Sequence, residues 1–298
     1  MTFAYLLQLV FAGIAAGSIY AMVALGFNVI YNTTGIINFA QGEFVMIGGM
    51  LAVTLTQTAG VPVWLALPVA VVVTAGVGAL VELVFIEPLR SPSVLRMIVI
   101  TIGVAIILRE AALHVWDEQM RAMPPFIGDE TSSYEFMGAF FKPQAFWIIG
   151  ALVVSVIALE AFFRLTITGQ AMRAVADQRD AAALVGIAPK RMVLLSFVVA
   201  AGLGGLAGVV VTPDTQIAYN VGTELAIWGF LAMVIGGLGS AAGAIAGGLL
   251  IGVMLKVADG VLPPDYRTGL VFVLLLVLLA VRPTGILGSR ARARLREF

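Results

Sequence analysis

Residues 166–191 read TITGQAMRAVADQRDAAALVGIAPKR, a charged, alanine-rich island between two long apolar segments. Alanine is the strongest helix former, so the interior of the island, about 169–187, is expected to be one short helix. Gly186 can stop it and Pro189 opposes its continuation. The small side chains leave a smooth face suited to a groove on a soluble partner.

Little other polar sequence surrounds the island. Hydrophobic residues make up 61% of the 298 residues and charged residues only 11%, with a mean hydropathy of +1.06. A soluble domain carries a much smaller apolar share. The expected fold class is therefore an all-α polytopic integral membrane protein. Apolar stretches long enough for a ~30 Å hydrocarbon core recur from end to end. One transmembrane domain is thus expected over 1–298, with no separate soluble domain. Met1 to Phe3 lacks a basic signal-peptide start, and the apolar run from Tyr5 to Ile30 is too long for a signal core. That run is expected to be a retained first span.

Charge distribution sets the sides. Twelve of the seventeen Lys and Arg residues fall in three groups: Arg90 and Arg96; Arg164, Arg173, Arg179, Lys190 and Arg191; and Arg282, Arg290, Arg292, Arg294 and Arg296. The positive-inside rule assigns all three, including the basic tail 282–298, to the cytoplasm. The segment from His114 to Gln144 carries Asp117, Glu118, Asp129, Glu130 and Glu135 against Arg121 and Lys142, so it suits the outside. Spans are expected near Tyr5–Ile30, Ile36–Thr56, Val63–Phe85, Met97–Leu113, Ala145–Phe163, Met192–Val211 and Thr268–Val281. The segment from Glu224 to Val257 would be a ~50 Å helix if continuous. It reads better as two helices broken at Gly236-Gly237-Leu238-Gly239-Ser240. The total is eight or nine crossings, depending on whether one segment is re-entrant, and the side of the N-terminus stays open.

A second polar feature interrupts the first apolar region. Tyr31-Asn32-Thr33-Thr34-Gly35-Ile36-Ile37-Asn38-Phe39-Ala40-Gln41-Gly42-Glu43 holds polar side chains and two glycines but no base. Polar backbone at membrane depth persists where it is buried in protein or lines a wet cavity, as in the discontinuous helices of transporters. Asn38, Gln41 and Glu43 are candidates for a pathway or gate, together with Gly237, Gly239 and Ser240. Packing between helices and a plain interfacial turn are the alternatives. Glu82, Glu160 and Lys256 lie near span ends, where each can reach an interface, and Arg109 and Glu110 approach the outer boundary. Many of the 33 glycines recur at four-residue spacing, including Gly13 and Gly17, Gly204 and Gly208, and Gly248 and Gly252. Such spacing permits close helix packing.

Several chemistries are excluded or disfavoured. Cysteine is absent, and His114 is the lone histidine, so thiolate and Cys/His metal sites are ruled out. None of Lys142, Lys190 and Lys256 completes a phosphate-binding loop. Ser196 and Ser240 have no nearby His to activate them as nucleophiles. No cofactor or metal is expected.

The polar run through Glu43, the island and the glycine-rich break resemble, in order and spacing over nearly the whole chain, the LivH-type permeases of branched-chain amino acid ABC importers. Asp180-Ala181-Ala182 with Gly186 fits the Glu-Ala-Ala-x-x-x-Gly pattern by which ABC importer permeases contact their ATPases, with Asp in place of Glu. The resemblance implies a non-enzymatic permease of the bacterial inner membrane that moves leucine, isoleucine or valine by alternating access. The implied partners are a related second permease, two cytoplasmic ATPases, an extracytoplasmic substrate-binding protein and the lipid bilayer, with no nucleic acid. Arg173, Asp177, Arg179, Asp180, Ala181, Ala182 and Gly186 would form the ATPase-coupling surface. A permease for urea or short-chain amides is the nearest alternative, and an ion-coupled secondary carrier a more distant one.

Overall fold

The computed structural model describes residues 3–89, 93–128, 132–136, 138–282 and 284–287. Eleven α-helices are found among them: α1 (Phe3–Thr34), α2 (Gln41–Val53), α3 (Val63–Val81), α4 (Val94–Trp116), α5 (Pro143–Leu165), α6 (Ile167–Asp177), α7 (Arg179–Leu184), α8 (Pro189–Val211), α9 (Val221–Gly236), α10 (Ala241–Val261) and α11 (Pro264–Val281). π-helical turns extend α2 over Thr54–Thr58 and α3 over Glu82–Ile86. A short antiparallel hairpin pairs β1 (Tyr134–Phe136) with β2 (Ala139–Phe141). Among the described residues, six helices, α1, α3 with its π-turn, α4, α5, α8 and α10, are long and apolar enough to cross a membrane. The fold is that of an all-helical polytopic membrane protein. Arg90, Asp129, Glu130 and the tail arginines from Arg290 onward lie outside the described residues.

Small residues decide which helices touch most closely. In a bilayer the hydrophobic effect does not drive helices together, so backbone approach and dispersion must do so. α1 and α10 run antiparallel with Gly13 against Val253 and with Gly17 against Gly248 and Leu249. A methyl group on Gly252 would strike the backbone of Gly17 and Gly13. The four-residue glycine spacing therefore serves packing within this chain. A similar seam joins α2 to α8, where Gly208 faces Val45 and Gly48 faces Gly205.

The ends of the bundle follow from these contacts. At one end Lys142 pairs with Asp214 at 2.8 Å, Arg121 bridges to Ile217, and Phe11 near the start of α1 meets Phe141 of the hairpin. At the other end lie α6, α7 and the Lys190–Glu87 pair. The start of α1 is thus opposite the island. After α11, the amides of Ile286 and Leu287 donate to the carbonyls of Ile235 and Gly236, bringing the chain back to the turn between α9 and α10.

Two expectations change in detail. The island is two helices instead of one, because Gln178 is extended (φ −153°, ψ 99°) between α6 and α7. Glu82 does not reach an interface: it is buried, and its Oε2 has no partner.

Candidate functional site

Two regions gather the polar residues singled out in the sequence. The first begins where α1 ends at Thr34, roughly 12 Å beyond Gly26 along the helix. The chain then doubles back, so that α2 starts deep in the bundle. Gln41 Nε2 donates to the carbonyl of Ala200 at 2.9 Å, and Ala200 lies midway along α8. The expected break is therefore a helix that starts inside the bundle, and Asn38, Gln41 and Glu43 are all buried there.

These three residues are poorly satisfied. Asn38 Oδ1 accepts from the Ala40 amide at 3.2 Å, which forms a local turn and leaves its Nδ2 without a partner. Gln41 Oε1 and Glu43 Oε2 are also unpartnered. Three of the five buried side-chain polar atoms without a hydrogen bond among the described residues belong to this one segment. Each such atom costs on the order of 1–3 kcal/mol, and native structures hold few of them.

Glu43 has neighbours that spacing did not reveal. Thr223, in the first turn of α9, donates its hydroxyl to Glu43 Oε1 at 3.4 Å, and Arg109 Nη1 of α4 donates to Thr223 Oγ1 at 3.3 Å. The available signal was an arginine within an apolar span, which seldom persists without a polar partner. Glu110, by contrast, is exposed.

The glycine-rich break packs against the inward part of α1. Gly237 (φ 113°, ψ 121°) and Gly239 (φ 79°) hold the turn in conformations that other residues rarely adopt. Ser240 caps α10 by accepting from the Gly243 amide at 3.0 Å. Asn28 clamps the turn through two bonds: its Nδ2 donates to the Ser240 carbonyl at 3.1 Å, and its Oδ1 accepts from the Gly239 amide at 2.9 Å. Asn32 Nδ2 donates to the Gly239 carbonyl at 3.4 Å. Gly237, Gly239 and Ser240 are thus joined to α1 and do not touch Asn38, Gln41 or Glu43 through these bonds. Asn28→Leu removes both clamp bonds, at about 1 kcal/mol each, and is expected to lower the melting temperature of the detergent-solubilised protein. An unchanged transition would mean that the clamp contributes nothing.

The second region is the island. Thr166 caps α6 by accepting from the Gly169 amide at 3.0 Å. Met172 and Val175 bury the inner face of α6, while Arg173 and Asp177 are exposed. α7 ends in a paired closure: Gly186 N–H donates to Ala183 O and Ile187 N–H to Ala182 O, both at 3.1 Å, with Gly186 at φ 87°. Arg179, Asp180, Ala181 and Gly186 are exposed, but Ala182 is buried. Ala182 therefore supports α7 from beneath. Leu184 (90% exposed) and Val185 (76%) stand out beside Gly186, as does Ile167 (87%) at the start of α6. In the sequence this apolar knob is only a few apolar residues at the edges of a polar run, with no signal of their exposure.

A polytopic helical bundle with a broken helix, a buried polar segment at mid-depth and an exposed amphipathic projection fits the class of membrane permeases. The chain belongs to the family described as "Branched-chain amino acid transport system / permease component", whose model matches residues 9–279. It is 32% identical to the high-affinity branched-chain amino acid transport system permease protein LivH of Escherichia coli, over 96% of each chain. It is 34% identical to BraD of Pseudomonas aeruginosa, a permease protein described in the same words, over 95% of this chain and 96% of that one. A more distant match, 24% identical over 90% of this chain and 68% of the other, is the E. coli permease protein LivM. No solved structure matches the chain.

Proposed function

We propose that this chain is one permease subunit of an ATP-binding cassette importer for branched-chain amino acids in the bacterial inner membrane. Its partners are a related second permease, two cytoplasmic ATPases that carry the hydrolytic chemistry, and an extracytoplasmic binding protein. The observation that carries this reading is the clustering of unpartnered polar atoms of Asn38, Gln41 and Glu43 at the buried start of α2. A polar solute crossing the bundle needs weak contacts of this kind at mid-depth, and broken helices are a recurrent way to provide them. Gly237, Gly239 and Ser240 then act on the pathway through the α9–α10 turn, as a hinge for the helices beside it.

The island serves as the ATPase-docking surface. Arg173, Arg179, Lys190 and Arg191 put positive charge at this end of the bundle, which supports a cytoplasmic side for it and for the basic C-terminal tail. The start of α1 then faces outward. Arg173, Asp177, Arg179, Asp180, Ala181 and Gly186 meet the ATPase, with Ala182 holding α7 to the bundle. ATP-driven closure of the ATPase pair moves α6 and α7, rocks the attached spans and opens the path alternately to each side.

Reconstitution of the chain with both ATPases, the second permease and the binding protein tests the assignment. ATP-dependent leucine uptake that also requires the binding protein is the expected result; assembly with uptake of urea or short amides instead of leucine would move the substrate class. Uptake driven by an ion gradient without any ATPase would overturn the ABC reading. In the same assay Arg173→Glu is expected to leave the protein folded and to lower uptake severalfold, since a reversed charge at a docking surface opposes its partner. Normal uptake by this variant would count against α6 as the docking element.

A further inference from the structure

We propose that a cavity bounded by α2, α4, α9 and α11 holds the zwitterionic head group of an amino acid in transit, with Glu43 receiving its ammonium and Arg109 its carboxylate. This assignment rests on the permease reading above and names what the pathway recognises. The cavity, about 390 Å³, is lined by Glu43, Arg109 and Thr223 together with Ile106, Ile227, Phe230 and other apolar side chains. Its size falls within the range of roughly 300–1,000 Å³ common to small-molecule sites.

Its chemistry is unusual for a wall inside a membrane. The Glu43 carboxyl group and the Arg109 guanidinium both line this otherwise apolar space, and the unpartnered Glu43 Oε2 is buried beside Gly222 at its edge. The two groups do not close on each other: the Thr223 hydroxyl stands between them, accepting from Arg109 and donating to Glu43. An acidic and a basic side chain held apart across one hydroxyl match the two ends of a free amino acid. A lipid chain would leave the polar edge of Glu43, Thr223 and Arg109 without a ligand partner, and a simple cation would find Arg109 beside it. A branched apolar side chain completes the fit against Ile106, Ile227 and Phe230. Ile102, Ile106 and Ile227 are exposed on the side of the bundle, so the cavity opens laterally, onto a face that a second permease can cover. The passing substrate then travels between the two permeases, and Thr223 hands its hydrogen bonds to it.

The test uses the complete importer in proteoliposomes, with a diazirine analogue of leucine delivered by the binding protein. Photolysis during ATP turnover is expected to label peptides containing residues 102–109 and 226–231, and excess leucine should suppress the labelling. Glu43→Gln and Arg109→Met should each lower leucine uptake about tenfold or more, the loss expected for one charge-assisted hydrogen bond. Lys256→Gln, outside the cavity, should retain uptake. Intact wild-type uptake with both cavity variants unaffected, or adducts confined to other helices, would remove this assignment alone. Labelling of the cavity by a diazirine phospholipid that leucine does not displace would give it to lipid. Wild-type importer that carries no leucine would remove the transport reading and this assignment with it. If either variant fails to co-purify with its partners, the adduct map of the wild-type importer decides.

Discussion

Gly252→Leu is expected to remove nearly all correctly assembled protein from the membrane. A Cβ at this position meets the backbone of Gly17 and Gly13 on α1, where no flexible side chain can swing aside. Overpacking in a core usually costs ~1–3 kcal/mol, and a leucine wedged against backbone should exceed that range. The two helices would have to separate along the seam that anchors α10, and with them the α9–α10 turn clamped by Asn28. The monodisperse fraction after detergent extraction should fall by at least about tenfold. Gly76→Leu supplies the control, since a Cβ there has nothing within 4 Å. Wild-type yield from Gly252→Leu would show that α1 and α10 do not meet as described.

The second large effect concerns coupling. Gly186→Trp is expected to leave the chain folded in the membrane and to reduce ATP-driven uptake by at least about tenfold, with stimulation of ATP hydrolysis lost. A Cβ at Gly186 has nothing within 4 Å, so an added ring projects outward into the space a partner must occupy. The φ of 87° adds backbone strain for any L-residue, of roughly 1–2 kcal/mol. Gly186→Ala carries the strain without the bulk and separates the two causes. Leu184→Asp tests the apolar knob independently, because a side chain that is 90% exposed contributes little to the fold of the isolated chain. Normal coupling in Gly186→Trp and Leu184→Asp would exclude the end of α7 from the docking surface.

Local chemistry made much of this molecule legible in advance. Composition announces a membrane protein because no soluble surface can be built from so few charges. The helix break before Gln41, the break at Gly237–Ser240 and the projection of residues 166–191 were each written in runs of polar or small residues with a clear physical cost in a bilayer. The interruption at Gln178 was not legible, since nothing in a run of helix-forming residues marks one of them as extended. Nor was the burial of Ala182, which looks identical to Ala181 and Ala183 until α7 is set down on the bundle.

By itself, then, the sequence determined the class of fold, the helix breaks before Gln41 and at Gly237–Ser240, and the charge asymmetry between the ends, because each depends on residues near one another along the chain. Tertiary structure alone decided which faces meet. It brought Thr223 between Glu43 and Arg109, across separations of 180 and 114 residues. It also set the Gly248 and Gly252 face against Gly17 rather than against another copy of the chain. Such pairings turn on whether two backbones can approach and whether buried polar atoms find partners, and those quantities exist only once the helices are packed.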